Sequence, residues 1–314
     1  MTQPQEALAA QGPKTTTDPE SVGGLIVPPT EIFDPSAITQ ILDEHCGAAK
    51  GAKAIRTATV TVLTQALTEG RATLSSAFIA EPLRANATVR AYAYLTDCIV
   101  EAIHHVVTNH LHPCPNPTEA EKFSILAVGG YGRAEMAPFS DVDLLFLTPY
   151  KITPWAESVV ESMLYILWDL KLKIGHASRS IKDCIRLGRE DYTIRTALLE
   201  HRYITGDKDT AIELKERLWS DLFSNTATEF IEAKLSERAE RHRKQGGQRY
   251  MVEPNVKEGK GGLRDLHSLF WIDKYLHAVE DTEDLVRQEV FRQEEFDAFK
   301  EAETFLLAVR CSLA

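Results

Sequence analysis

Cysteines are few in this sequence, and long apolar runs and a secretory signal are missing. The 314 residues include only five cysteines, with no CxxC spacing. No disulfide framework is therefore indicated, and the thiols are expected to be reduced, mostly buried groups of a cytoplasmic protein. No apolar run approaches the roughly 20 residues that a membrane-spanning helix needs. The amino terminus, MTQPQEALAAQGPK, lacks the charged start and apolar centre of a secretory signal.

Basic side chains are also too few for a protein that binds nucleic acid in bulk. The 35 Lys and Arg residues are outnumbered by 46 Asp and Glu residues, which gives a formal net charge of -11. Such a chain repels a polyanion unless its basic residues are strongly segregated. Hydrophobic residues make up 44% of the sequence, enough for a sizeable core, and the length exceeds one typical domain.

Composition and the spacing of apolar residues divide the chain into four segments. Residues 1–36 are rich in Thr, Pro, Gln, Gly and Ala and are predicted to be a flexible leader. Residues 37–115 have helical apolar spacing, 116–210 alternate strands with helices, and 211–314 are helical again without a stop signal, which predicts a truncated domain. The predicted fold class is α/β plus all-α, with a small mixed-sheet domain flanked by helical domains.

The middle segment carries the clearest pattern of strands. Four strands are predicted, at 125–128, at 141–147, at 172–174 and near 200–205. Between the second and third strands, Thr153 and Pro154 supply a cap and a first-turn proline for a helix whose apolar face continues to Leu170. This alternation predicts a compact α/β domain.

Two aspartates open the second predicted strand. Side chains alternate between the faces of a strand, so Asp141 and Asp143 project from the same side, with Cα atoms about 6.6 Å apart. Paired carboxylates repel one another unless cations lie between them, and such oxygen ligands suit Mg²⁺ or Mn²⁺. Two such ions, about 3.5–4 Å apart, can clamp the attacking and leaving oxygens of an in-line displacement. The sequence therefore predicts a metal site at Asp141 and Asp143.

A glycine-rich turn precedes this pair. Gly129, Gly130 and Gly132 follow a predicted strand and remove Cβ atoms where backbone N–H groups must approach an anion closely. Arg133 is predicted to pair with a phosphate in a bidentate manner, and Ser140 to add a hydroxyl donor. A phosphate cradle and a metal pair within 15 residues indicate a protein that acts on a nucleoside triphosphate.

Competing motif interpretations fail on their spacing. The dinucleotide-binding fingerprint needs a third glycine where Glu135 stands, and a P-loop around Lys260 needs Ser or Thr at Gly261. A second Asp-x-Asp, at Asp207 and Asp209, has neither a strand after it nor a glycine turn before it, and is predicted to be a solvated turn. A purely structural glycine turn followed by a charged strand edge is the remaining alternative.

At this point the sequence resembles a known family. The stretch GGYGRAEMAPFSDVDLLFL, 129–147, is similar to the signature of the DNA polymerase beta-type nucleotidyltransferases, and more narrowly to that of bacterial PII uridylyltransferase/uridylyl-removing enzymes. A second stretch, EPNVKEGKGGLRD at 253–265 with Trp271 in the following helix, resembles the segment after the transferase domain in that family. Gly175-His176 with Arg179, and 198–202, are also similar. The resemblance covers roughly residues 50–314.

The resemblance implies a specific reaction. The family's transferase domain moves UMP from UTP to a tyrosine hydroxyl of the PII nitrogen-signalling protein and releases pyrophosphate. Its full-length members also carry an HD-type hydrolase, which removes UMP, and two glutamine-sensing ACT domains. No His-Asp dipeptide occurs in these 314 residues, so the transferase part alone is expected, with Gly129, Gly130 and Arg133 holding the β- and γ-phosphates.

One departure from the superfamily pattern concerns the catalytic base. Superfamily members usually place a third carboxylate on the strand after the aspartate pair, where it can accept the proton of the attacking hydroxyl. Here that strand has Lys173 at the corresponding place. Glu200 is the predicted substitute and His176 a further candidate.

Three weaker signals remain. Lys257 and Arg264 lie in a glycine-rich segment and are candidate phosphate ligands, with domain packing as the alternative.

Arg238, Arg241 and His242 are interpreted as part of a solvated helix face. The histidines at 104, 105, 110 and 112, together with Cys114, do not favour a zinc site, because the adjacent His104 and His105 cannot share one helix face and the others fall near a proline-rich exit.

Two functional alternatives stay open. An adenylyltransferase acting on glutamine synthetase or on a small molecule fits the same motif, because the motif contacts only phosphates and metal. A regulatory module that binds a nucleotide without turnover fits the missing third carboxylate.

Overall fold

The computed structural model describes residues 24–116, 118–244, 255–278 and 286–314. These residues form two compact units. The sheet-containing unit comprises the described part of 13–184 together with 200–213, and the helical unit comprises 185–199 with the described part of 214–314. The predicted α/β and all-α character is confirmed.

Helices occupy the first part of the sheet-containing unit. They are α1 (Pro29–Ile32), α2 (Pro35–Ala48), α3 (Ala52–Ala80) and α4 (Ala85–Val106), with a π turn (Val107–Leu111) continuing α4. Asp34 caps α2 by accepting from the N–H groups of Ser36 and Ala37 at 3.0 and 3.1 Å. Helix α4 is the most deeply buried of the described helices, with alanines and β-branched or aromatic residues on nearly every face.

The prediction of a flexible leader over residues 1–36 is wrong for the last part of that range. Residues 1–23 lie outside the described residues, but Leu25, Ile26, Ile32 and Phe33 are all buried. The side chain of Arg84 donates to the carbonyl oxygens of Leu25 and Ile26 at 3.0 and 3.2 Å. A short run of apolar residues within a polar segment therefore provides enough buried surface to order the chain from about residue 25 onward.

The sheet has four strands, β1 (Ser124–Ala127), β2 (Val142–Thr148), β3 (Ile174–Ser180) and β4 (Arg202–Gly206). Their order is β3-β2-β1-β4, with β1 antiparallel to β2 and β4, and β2 parallel to β3. The short helix α5 (Gly129–Gly132) follows β1, and helix α6 (Pro154–Asp169) connects β2 to β3. Thr153 caps α6, as the sequence predicts, by accepting from the N–H of Ala156 at 3.2 Å.

Four strands are thus found where four are predicted, although the third begins two residues later and extends to Ser180. All residues of β1, and all of β2 except Asp143, are buried. The two central strands are therefore covered on both faces, whereas β3 at the sheet edge contains only exposed and half-buried residues. Asp143 is the one position of these central strands that is not buried.

The remaining helices begin with α7 (Ile181–Glu190), α8 (Tyr192–Leu199) and α9 (Lys208–Arg217), the last continued by a π turn (Leu218–Phe223). Asp207 accepts from the N–H of Thr210 at 2.8 Å at the start of α9. Helices α10 (Ala227–Lys244), α11 (Leu263–His277) and α12 (Gln293–Ser312) belong to the helical unit. Phe230 of α10 stacks on Tyr275 of α11, with ring centroids 4.2 Å apart. No helix in the described ranges has the length and low charge needed to cross a bilayer.

Candidate active site

The two predicted metal ligands lie where β2 begins. Asp141 is exposed and immediately precedes the strand, while Asp143 is the half-buried second residue of the strand. Asp143 pairs in register with Gly175 of β3, and its carbonyl oxygen accepts from the N–H of Val128 at 3.0 Å. The two aspartates thus lie at the same end of β2, Asp141 just outside the strand and Asp143 within it. That their carboxylates project from one side stays a prediction.

Gly129 and Gly175 leave space for the carboxylate of Asp143 from two sides. A Cβ atom on Gly175 would overlap Oδ1 of Asp143, and one on Gly129 would lie 3.5 Å from Oδ2. Gly129 also has φ +61, a conformation that side chains with a Cβ disfavour. The role of Gly175 is not visible in the sequence, because it depends on the register between β2 and β3.

The glycine turn itself is the single-turn helix α5. Its first backbone hydrogen bond joins the N–H of Gly132 to the carbonyl of Val128 at 3.1 Å. The N–H groups of Gly129, Gly130 and Tyr131 consequently have no acceptor inside the turn. Gly129 lies beside the carboxylate of Asp143, and phosphate binding by the N–H groups of Gly129 and Gly130 stays a prediction.

Gly132 has a different environment from the other two glycines. It is buried, and a Cβ atom there would collide with the backbone carbonyl of Glu200 and lie 3.1 Å from that of Ala127. The absence of a side chain at Gly132 therefore allows the turn to pack against the chain just before β4, rather than opening a space for an anion.

Arg133 is not positioned as the sequence predicts. Its guanidinium donates to Glu135 at 2.9 Å and to Glu200, and only 9% of its side chain is exposed. Burial alone lowers the pKa of Arg133, but attraction to Glu135 and Glu200 outweighs that effect and raises the pKa above its ordinary value. Arg133 therefore connects the end of the glycine turn to the carboxylates of Glu135 and Glu200. Its guanidinium makes these ion pairs in place of the predicted bidentate phosphate contact.

The same contacts change the interpretation of Glu200. Its side chain is 2% exposed and is paired with Arg133. A carboxylate in that position neutralises a buried cation and is not directed to a substrate hydroxyl. His176, the other candidate base, is exposed on β3, and β3 itself contains no acidic residue. The third catalytic group is therefore not identified.

A second buried arginine holds the turn from β4. Arg202 donates to both carboxylate oxygens of Asp97 in α4 at 2.6 and 3.1 Å, and to the carbonyls of Tyr131 and Gly132 at 3.1 and 3.3 Å. The side chain of Asp97 is 1% exposed. Nothing in the sequence links residues 97 and 202, because their contact arises only when α4 packs on β4.

The segment between the turn and β2 contains two non-glycine residues with positive φ, Ala134 at 57° and Phe139 at 59°. Such conformations cost about 1–3 kcal/mol and occur where the surrounding structure enforces them. Phe139 is 63% exposed, and its ring lies 5.3 Å from the guanidinium of Arg71. Ser140 lies between Phe139 and the aspartates, and its N–H donates to the carbonyl of Ala137 at 3.1 Å.

Lys257 and Arg264 lie in the helical unit. Lys257 is exposed, and its carbonyl accepts from the N–H of Arg264 at 2.9 Å. The guanidinium of Arg264 donates to Glu258 at 3.2 Å and lies 5.4 Å from the ring centre of Trp271. Arg264 thus helps to fold its own loop, while phosphate contact by these residues stays a prediction.

The basic face predicted for α10 is not simply solvated. Arg238, Arg241 and His242 all contact the carboxylate of Asp265, which also accepts from the N–H of Gly261 at 2.8 Å. Burial raises the pKa of Asp265, but the Gly261 N–H and Arg241 outweigh that effect and lower it. This cluster joins α10 to α11 through the glycine-rich loop.

Comparisons with known proteins agree with the motif evidence. A family model described as "GlnD PII-uridylyltransferase" matches residues 229–314. A bifunctional uridylyltransferase/uridylyl-removing enzyme of Cereibacter sphaeroides is 57% identical over 292 residues, which is 92% of this chain and 31% of the relative. The enzyme of the same name from Ruegeria pomeroyi is 56% identical over 282 residues, 90% of this chain and 31% of the relative.

A more distant relative with that name, from Erythrobacter litoralis, is 49% identical over 264 residues, 84% of this chain and 29% of the relative. The chain therefore spans less than a third of the length of these curated relatives. The match lies in their amino-terminal part.

Proposed function

The chain is homologous to the amino-terminal part of the bifunctional uridylyltransferase/uridylyl-removing enzymes, and on that premise we propose that it is a metal-dependent nucleotidyltransferase. The observation that carries the proposal is the position of Asp143. Its carboxylate lies between Gly129 and Gly175, and the register of β2 and β3 requires a residue without a side chain at position 175.

The donor set fits a hard divalent cation. Asp141 and Asp143 offer carboxylate oxygens and lie next to a turn with backbone donors, a combination that suits Mg²⁺ or Mn²⁺ bound together with phosphates. When bound, the metal would neutralise the triphosphate and the charge that develops during transfer.

The chain's own groups supply binding and orientation. The N–H groups of Gly129 and Gly130 bind phosphate oxygens of the nucleoside triphosphate, and the hydroxyl of Ser140 adds a donor. An acceptor hydroxyl attacks the α-phosphorus, and pyrophosphate leaves. Arg133 and Arg202 act as positioning residues, because each ties the turn to a buried carboxylate.

The finer assignment concerns the donor and the acceptor. We propose UTP as the nucleotide donor, which the name of the relatives supports, and the PII signalling protein as acceptor, which the family description supports. The accepting group that we propose is a tyrosine hydroxyl, as the sequence resemblance implies. An aromatic hydroxyl on a second protein requires an open site, and the exposure of Asp141 and Phe139 is in keeping with that need.

A labelling experiment tests the proposal. The purified chain is incubated with PII, Mg²⁺ and each of the four nucleoside triphosphates labelled at the α-phosphate. We expect label from UTP on a PII tyrosine, with pyrophosphate released, and no transfer by Asp143→Asn. The matched control is Asp209→Asn in the second Asp-x-Asp, which leaves transfer unchanged. Near-normal transfer by both Asp141→Asn and Asp143→Asn rejects the assignment. Label from ATP in place of UTP identifies an adenylyltransferase.

One observation favours a second candidate, a regulatory module that binds the nucleotide without turnover. No acidic residue lies on β3, and the carboxylate of Glu200 forms an ion pair with Arg133. Neither place therefore offers a carboxylate that could act as the catalytic base. Calorimetry distinguishes the two functions. Mg²⁺-dependent binding of UTP without release of pyrophosphate, in the presence of PII, supports the binding module, whereas binding with release supports the transferase.

A further inference from the structure

A second cluster of metal-ligating side chains lies in the helical part of the sheet-containing unit, on α2, α4 and the π turn. The carboxylate Oδ1 of Asp43 is 2.8 Å from Nε2 of His105 and 2.7 Å from Nε2 of His110. One ligand atom from each residue lies within 4.8 Å of the other two. Two imidazole nitrogens and a carboxylate oxygen thus converge on one point.

The π turn is what brings the two histidines together. In an α-helix, residues five apart point in directions about 140° apart, because each residue turns the chain by about 100°. A π-helix closes its hydrogen bonds over five residues, so residues five apart return to nearly the same face. His110 lies in the π turn Val107–Leu111, five residues after His105. The sequence argument against a metal site assumed α-helical geometry and therefore missed this pair.

The surroundings of the cluster provide the support that a ligating imidazole needs. The side-chain amide of Asn109 is 2.9 Å from Nδ1 of His105. A half-turn of that amide presents its oxygen to Nδ1–H, which leaves Nε2 free to bind a cation. The neighbouring histidines have other partners, since His104 contacts Thr205 at 3.2 Å and His112 contacts Ser162 at 2.8 Å.

We propose that Asp43, His105 and His110 form a binding site for a divalent transition-metal ion of the zinc class. Imidazole and carboxylate together suit Zn²⁺, whereas Mg²⁺ prefers oxygen ligands alone. Tetrahedral bonds of about 2.0–2.1 Å place ligand atoms about 3.3 Å apart, so the carboxylate oxygen of Asp43 needs to move away from each imidazole nitrogen by about half an ångström. The side chains are 21–46% exposed, which lets the ion enter and a water complete the coordination.

This site is independent of the proposed transferase function. A bound metal ion would link α2 to the end of α4, because Asp43 belongs to α2 and His105 to α4. Binding energy for the metal then adds to the stability of this helical packing by linkage.

The test measures Zn²⁺ binding by competition with a chromophoric chelator, in a chain carrying Asp141→Asn and Asp143→Asn so that the transferase aspartates do not contribute. We expect one saturable Zn²⁺ per chain, not displaced by millimolar Mg²⁺. His105→Ala, His110→Ala and Asp43→Asn should each weaken binding at least about tenfold. The matched control is His45→Ala, which removes an exposed histidine from the same helix as Asp43.

A second readout separates coordination from a loss of folding. With Co²⁺ as the probe, visible absorption bands of imidazole-ligated cobalt should appear in the His45→Ala chain and be missing in the His105→Ala, His110→Ala double variant, while both chains keep the same helical circular dichroism. Absence of saturable Zn²⁺ binding in the parent chain overturns the proposal. Equal binding by the parent and the double variant overturns it as well.

Discussion

Arg133 and Glu200 form an ion pair between the end of the glycine turn and the residue that precedes β4 by two positions. Their side chains are 9% and 2% exposed, so neither charge is solvated. The backbone carbonyl of Glu200 also packs against Gly132 where a Cβ atom would otherwise lie. The conformation of the turn that faces Asp143 therefore depends on the position of β4, through both a main-chain and a side-chain contact.

Replacing Glu200 should disturb the turn more than the surrounding fold. Glu200→Gln leaves the buried guanidinium of Arg133 with one carboxylate, Glu135. Removing one partner from a buried pair costs about 3–5 kcal/mol, and the remaining partner should reduce this to about 2–3 kcal/mol. Urea unfolding measures the loss, and steady-state assays should show a raised KM for the nucleotide.

The control for Glu200 is Glu119→Gln, which removes one of the two carboxylates near Lys122, from a pair in which the glutamate is 80% exposed. Exposed pairs contribute about 0–1 kcal/mol, so this variant should unfold at nearly the parent's urea concentration. If Glu200→Gln behaves like Glu119→Gln in both stability and KM, the ion pair does not hold the turn.

Gly175→Ala should separate the activity of the site from the stability of the sheet. A methyl group at position 175 overlaps Oδ1 of Asp143 and forces the carboxylate to move. Misplacing a catalytic group by about 1 Å can cost about 100-fold in rate. We therefore expect nucleotidyl transfer to fall by about that factor, with Mn²⁺ affinity weakened when measured by electron paramagnetic resonance.

The matched glycine is Gly47 in α2, which has open space around the position of a Cβ atom. Gly47→Ala should leave transfer unchanged and stabilise the chain by up to about 1 kcal/mol, because alanine favours a helix. Retention of full activity by Gly175→Ala would show that the carboxylate of Asp143 does not need its present position.

The sequence was sufficient to predict the strands and to place Asp143 at the start of the second one, and the reason is periodicity. Alternation in 141–147 places Asp141 and Asp143 on one side of a strand whatever the strand pairs with. The identity of their neighbours depends on register. That Gly175 lies beside Asp143 follows from the parallel pairing of β2 with β3, which no local pattern specifies.

The predictions that the structure does not support concern long-range ion pairs. Arg133 looks like a phosphate ligand in the sequence because it follows three glycines, but its partner Glu200 is 67 residues away. The basic residues of α10 look solvated until Asp265 of α11 is brought to them. A charged residue can be assigned to solvent or to a ligand only after its buried counter-ions are known.

The half-buried Glu101 of α4 should give the chain a distinctive pH dependence. Burial, with the nearby charge of Asp97, raises the pKa of Glu101 to about 7, against a partial offset by Arg202. The folded chain therefore holds a proton between about pH 4.5 and 7 that the unfolded chain releases. The contribution of Glu101 to the free energy of unfolding is fully present below about pH 4.5 and is lost as the pH rises to 7.

Glu101→Gln isolates that effect. His104 has the opposite sign, since burial lowers its pKa to about 4 and stability from it rises between about pH 4 and 6.5. Because His104 is present in both chains, its contribution cancels in the difference between them. Urea unfolding should show the glutamine variant gaining about 1–3 kcal/mol on the parent between pH 5 and 8. A constant difference across that range would mean that Glu101 is ionised throughout.

Asp265→Asn should loosen the helical unit locally. The carboxylate of Asp265 is 12% exposed and meets Arg238, Arg241 and His242. Its neutral replacement leaves those groups without their common counter-ion, at a cost of about 2–4 kcal/mol. Hydrogen exchange should therefore accelerate in α11 and in the second half of α10. The control is Asp297→Asn, at an exposed position of α12, which removes a carboxylate that accepts from the side chain of Gln293. If both variants exchange at the same rate, the contact of Arg238, Arg241 and His242 with Asp265 adds nothing to the packing of α10 on α11.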